Sequence, residues 1–140
     1  MKNIFFEVLD YEIGKVFWKE MLLLFLKKDE TFEIRHWRDD ESTVNKALSY
    51  GIISTEQSTE YEISVTGNLN ENNVSRFKEM KIPYNEEEIT EFFTINIGKS
   101  FSSSHYGKEI YLSNISDELY IKVMNLIEPF KEELSYLENT

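Results

Sequence analysis

The sequence predicts an α+β fold, a mixed or antiparallel β-sheet of about five strands packed against helices in a single domain over residues 1–140. Three observations predict it. Residues 31–37 (TFEIRHW) and 91–101 alternate apolar and polar side chains, the two-residue period of half-buried strands. Residues 116–137 carry Leu119, Val123, Leu126, Ile127, Phe130, Leu134 and Leu137 at three- and four-residue spacing, one apolar stripe of a helix. The segments also change type along the chain, in the order β-α-β-α-β-α-β-β-α, which lays helices against a sheet.

In order, residues 3–9 are rich in Ile, Phe and Val and read as a first strand, with Gly14 or the preceding Asp-Tyr-Glu marking the turn out of it. Residues 16–28 read as a helix apolar almost all round, which is either buried or covers an interface. Residues 31–37 follow as a strand, with Phe32, Ile34 and His36 on one face. Asp39, Asp40 or Ser42 can cap a short helix running to Tyr50, and Gly51 stops it. Residues 52–59 read mostly as loop, 60–66 as a strand, 67–70 as a turn with Asn70 as cap, and 71–80 as a weak helix. Residues 81–88, with Pro83, form an acidic loop. The chain is then organised around residues 89–113, read as a C-terminal β-hairpin with SSSHYG as its loop. Ser116 caps the long final helix, and Pro129 kinks it. Early helices could cross between parallel strands, while the last two strands pair antiparallel.

Charge is the strongest compositional fact. There are 26 acidic and 15 basic residues, a net of −11, which disfavours nucleic-acid binding and an anionic membrane surface and favours a basic protein partner. A 41% hydrophobic and 14% aromatic content argues for a folded chain rather than a disordered one. There are no cysteines, so thiol catalysis, disulfides and thiolate metal sites are excluded, and a reducing cytoplasm is the expected setting. The first residues do not read as a signal peptide, and the longest apolar run, residues 21–26, is far short of the ~20 residues of a membrane helix.

No catalytic motif stands out. His36 lies in RHWRDD, where acids, bases and an aromatic adjoin, but a general base also needs a positioned partner and a cleft. His105 follows three serines, and adjacency in sequence is not triad geometry. The two histidines have no metal-ligand spacing, and the five glycines are scattered singly, unlike a phosphate cradle. No cofactor is expected.

Two acidic runs carry the functional reading: Asp39, Asp40 and Glu41, beside Trp37, and Glu86, Glu87 and Glu88, after Tyr84. Aromatics beside charge are typical interface anchors. The expectation is a small, acidic, cytoplasmic binding protein, not an enzyme, that neutralises a basic partner. Its most concrete form is an immunity protein whose carboxylates meet the phosphate-holding lysines and arginines of a bacterial toxin, such as a nuclease. That likeness is one of composition and rests on no motif. The alternatives are a small enzyme or ligand-binding domain with a pocket near Arg35, His36, Trp37 and Tyr61, and a subunit of a larger assembly that uses the apolar helix of residues 16–26.

Overall fold

A computed structural model describes residues 1–139. The elements are β1 (Lys2–Val8), α1 (Tyr11–Leu23), β2 (Thr31–Trp37), α2 (Glu41–Ala47), β3 (Ile52–Ile53), β4 (Glu62–Asn68), α3 (Glu71–Lys78), β5 (Thr94–Ile97), β6 (Phe101–Ser104), β7 (Glu109–Ile115), α4 (Asp117–Ile127), a 3₁₀ segment (Glu128–Glu133) and β8 (Leu134–Asn139). The strands form one open, eight-stranded sheet in the order β3-β4-β2-β5-β6-β7-β1-β8. Every neighbouring pair is antiparallel.

This corrects the expected sheet of about five strands in three places. First, the stretch read as a hairpin is a three-stranded meander, β5-β6-β7. Ser102, Ser103 and Ser104 are strand, not loop, because both sides of β6 are paired. Ser103 is fully buried and its Oγ accepts the indole N–H of Trp18 at 3.0 Å, a polar partner that an apolar residue could not supply. Second, the final helix is not long and kinked. Ser116 caps α4 through the Leu119 N–H as expected, but α4 ends at Ile127. Pro129, in the first turn of the 3₁₀ segment, cannot donate to the helix ladder. Leu134–Asn139 then pairs along β1 for six residues, so tertiary pairing overrides the helical phase of Leu134 and Leu137. Third, no helix crosses between parallel strands.

The sheet's two faces differ. Phe32, Ile34 and His36 of β2 lie beside Gly67, Val65 and Ile63 of β4, and Ile97 and Ile95 of β5 lie opposite Phe32 and Ile34. With Ile4, Phe6, Phe101, Ile110 and Leu112 they form the inner face. It shares one apolar cluster with Phe17, Trp18, Met21 and Leu22 of α1, Phe77 of α3 and Val123 and Ile127 of α4. The apolar side chains of α1 are thus used in the chain's own core, and among its residues Val16 points outward. Gly14 lies inside α1, not in a turn: Asp10 caps the helix through the N–H groups of Glu12 and Ile13. A Cβ on Gly14 would stand 2.6 Å from Ile89 Cδ1, so the glycine lets the helix approach closely.

The outer face is polar in its middle. Glu33 accepts from Ser64 Oγ (2.5 Å), Asn96 Nδ2 (2.9 Å) and Arg35 Nη1 (2.9 Å). Arg35 also bonds Glu62 and the Gln57 carbonyl, tying the segment after β3 across the sheet. Burial pushes the Glu33 carboxyl up, but its hydrogen bonds and the Arg35 charge outweigh that and hold it below the usual range. Towards β8 the outer face turns apolar, with Phe5 stacked on Tyr111 at 4.5 Å.

Candidate functional site

The end of β2 collects most of the chemistry noted in the sequence. Strand alternation sends His36 to the inner face and Arg35 and Trp37 to the outer one. The expected grouping of Arg35 with His36 in one pocket is therefore not formed. His36 is buried and both its ring nitrogens are engaged. Nδ1 accepts the Phe93 backbone N–H at 3.1 Å, and Nε2 lies 2.8 Å from Asp40 Oδ2. The Phe93 donor fixes the tautomer with hydrogen on Nε2. Asp40 Oδ1 in turn accepts the Thr43 N–H at 3.3 Å and caps α2. The Asp40 carboxyl is held below the usual range, chiefly by the His36 hydrogen bond, with Thr43 adding and burial opposing. His36 is thereby a brace between β2, α2 and the segment before β5, with no ring nitrogen left for a substrate.

Around this brace lies an aromatic cluster. The Phe93 ring is 4.6 Å from Trp37, 5.3 Å from Tyr106 and 5.3 Å from His105, centroid to centroid. Tyr106 also stands edge-on to His36 at 5.9 Å. His105 and Tyr106 form the β6–β7 turn at φ 53° and 60°, left-handed values that cost a non-glycine residue roughly 1–2 kcal/mol each. The turn holds because it is clamped. The N–H groups of Ile89 and Thr90 both donate to the Tyr106 carbonyl, at 2.9 and 3.0 Å, and the Tyr106 N–H donates to Phe93 at 3.1 Å. His105 Nδ1 pairs with Glu109 at 2.7 Å, and Ser104 Oγ also donates to Glu109, so these residues form no serine–histidine relay.

The acidic residues are only partly gathered here. Asp39 is exposed beside Trp37. Glu88, from the second acidic run, is close enough to Asp40 for the two charges to interact. Burial above all pushes its carboxyl up, with the like charges of Asp40 and Glu91 adding, while His36 and Lys108 oppose them. Glu41 is exposed in the first turn of α2, where it complements the helix dipole. Glu86 and Glu87 are exposed on the loop before β5. Tyr84 is fully exposed and lines a different groove of about 610 Å³, with Lys46, Tyr50 and Met80. Phe93 and Tyr106 are the site residues that sequence reasoning missed. The one signal for Tyr106 was an aromatic inside an otherwise small, polar loop.

A larger cavity, about 870 Å³, lies elsewhere, on the outer face. Glu33, Asn96, Thr66, Ser102 and Lys99 are among its lining. Among the described residues no three His, Asp or Glu side chains group as metal ligands, and no helix is long and apolar enough to cross a membrane. Comparison with protein-family models, with curated proteins and with solved structures gives no match.

Proposed function

We propose that this chain is a cytoplasmic binding protein that captures a basic protein through the aromatic and acidic end of β2, and in its most concrete form an immunity protein that blocks a bacterial toxin. One observation carries the reading: the half-buried rings of Trp37, Phe93 and Tyr106 pack together, and Asp39, Asp40 and Glu88, drawn from two acidic runs far apart in sequence, all lie within Coulombic reach of Tyr106. Aromatic anchors within a charged rim are what a protein interface needs, and a net charge of −11 steers a basic partner toward it. The braced His36 supports binding over catalysis, since neither ring nitrogen is available as a base. A rigid rim also lowers the ordering cost of association.

Affinity capture from native cells at low and moderate salt tests the proposal. The expected result is one stoichiometric basic protein, released as salt rises and no longer captured by the Trp37→Ala variant. Capture of no basic protein at either salt would overturn it.

A further inference from the structure

We infer that the notch between Trp37 and Tyr61 is the seat for an arginine side chain of the partner, an inference that rests on the reading above and adds the residue chemistry that the partner presents. The notch has a volume of about 300 Å³ and is lined by Trp37, Arg38, Asp39, Glu60 and Tyr61. It thus offers two aromatic rings and two carboxylates at one place. Tyr61 is 69% exposed despite its size, so its ring is a surface without a covering element.

The backbone of the walls and the Trp37 ring are braced before anything binds. The Arg38 N–H donates to the Tyr61 carbonyl at 2.8 Å, and Arg38 Nη2 donates to the Thr59 carbonyl at 2.7 Å. Thr59 Oγ1 accepts the N–H groups of Tyr61 and Glu62, which sets the turn carrying Glu60. Phe93 supports Trp37 at 4.6 Å. Arg38 is the one cation in the lining, and its guanidinium is turned onto a backbone carbonyl. Of the neighbouring acids, Asp40 is committed to His36 and Glu62 to Arg35. Asp39 and Glu60 are both exposed.

Charge complementarity decides the occupant. A second copy of this chain would bring −11 against −11. A phosphate-bearing ligand would meet two carboxylates against the single guanidinium of Arg38, which is already bonded to the Thr59 carbonyl. A cation fits, and guanidinium fits better than ammonium, because its planar, weakly hydrated group stacks on aromatic faces while its edge donates to carboxylates.

The test titrates the intact protein with acetyl-Gly-Arg-Gly-amide, its lysine counterpart and its uncharged citrulline counterpart, and follows the two indole N–H signals by NMR. Trp18 is buried and bonded to Ser103, so its signal serves as the control for an intact fold. The expected result is a saturable shift of the Trp37 signal alone, in the millimolar range, at least threefold tighter for arginine than lysine and without saturation for citrulline. Tyr61→Ala, and Asp39→Asn combined with Glu60→Gln, should each weaken it at least threefold. Equal response to citrulline, or undiminished binding by Tyr61→Ala with the Trp18 signal unchanged, would overturn the arginine seat while leaving salt-sensitive capture of a basic protein standing. Failure of that capture with the peptide response intact would overturn the proposed function and leave the seat.

Discussion

The His36 imidazole hydrogen-bonds to the Asp40 carboxylate at 2.8 Å, and through that bond the end of β2 holds the cap of α2. Asp40→Ala removes both the cap, worth about 1 kcal/mol, and the acceptor of a buried N–H, worth about 1–3 kcal/mol. Because Asp40 is itself part-exposed and water can replace some of this, the expected loss is about 2 kcal/mol. His36→Ala should also destabilise. The double variant should lose less than the sum, with a coupling of about 1 kcal/mol in chemical denaturation. Strict additivity would mean that the two residues do not act as one unit.

Acid should unfold the protein through Glu33 and Asp40. Both carboxyls are lower in the fold than in the unfolded chain. Their stabilisation is therefore complete above the unfolded carboxylate value of about 4 and is lost as pH falls through their lower folded values. Urea midpoints should drop steeply below about pH 4. Glu33→Gln should flatten that slope, and an unchanged slope would refute the assignment for Glu33.

Alkali should act through Tyr50. Burial, with Glu91 adding, pushes its hydroxyl up to about 12. A raised value means that the neutral form is favoured in the fold, so this stabilisation is full below the unfolded value of about 10 and is lost as pH rises toward about 12. Relative to the parent, Tyr50→Phe should show a smaller loss of stability between pH 9 and about 11, measured by urea denaturation. Parallel pH curves for the two proteins would contradict the prediction.

Gly14→Ala should destabilise, against the usual sign for a helix. Alanine in a helix interior ordinarily gains about 0.5–1 kcal/mol over glycine. Here the new methyl would stand 2.6 Å from Ile89 Cδ1 and 2.8 Å from Val8 Cγ1, both buried. Overpacking of this kind costs about 1–3 kcal/mol, so the net expectation is a loss of roughly 1–2 kcal/mol in thermal or chemical unfolding. A stabilised variant would mean that α1 can move off the sheet freely.

How much of this was legible follows from what each residue needs. Thr31–Trp37 is a strand with the alternation that its side chains show, because one face meets the core and the other does not. Asp40, Asn70 and Ser116 cap helices as their side chains favour. The serines of β6 were opaque because small polar residues read as a loop, while their strand character comes from pairing with β5 and β7 on either side and from the Trp18 indole, which is remote in sequence. Leu134 and Leu137, three residues apart, fit a helical stripe better than a strand, where they fall on opposite faces, Leu134 buried and Leu137 exposed. Pairing with β1 overrode that spacing, and Pro129 was the local sign of the break. Trp37 and the two acidic runs were visible as sequence. That Glu88 comes near Asp40, and that Phe93 and Tyr106 complete the cluster, depends on a clamped left-handed turn that no single residue type announces.

The most direct measurement is the association rate of the captured basic partner with this protein, followed from low to moderate ionic strength by stopped-flow fluorescence. The rate should fall roughly tenfold or more between ~20 mM and ~300 mM salt, with a shallower fall for Asp39→Asn combined with Glu88→Gln and faster dissociation for Trp37→Ala. A rate indifferent to salt, or binding untouched by those substitutions, would contradict it.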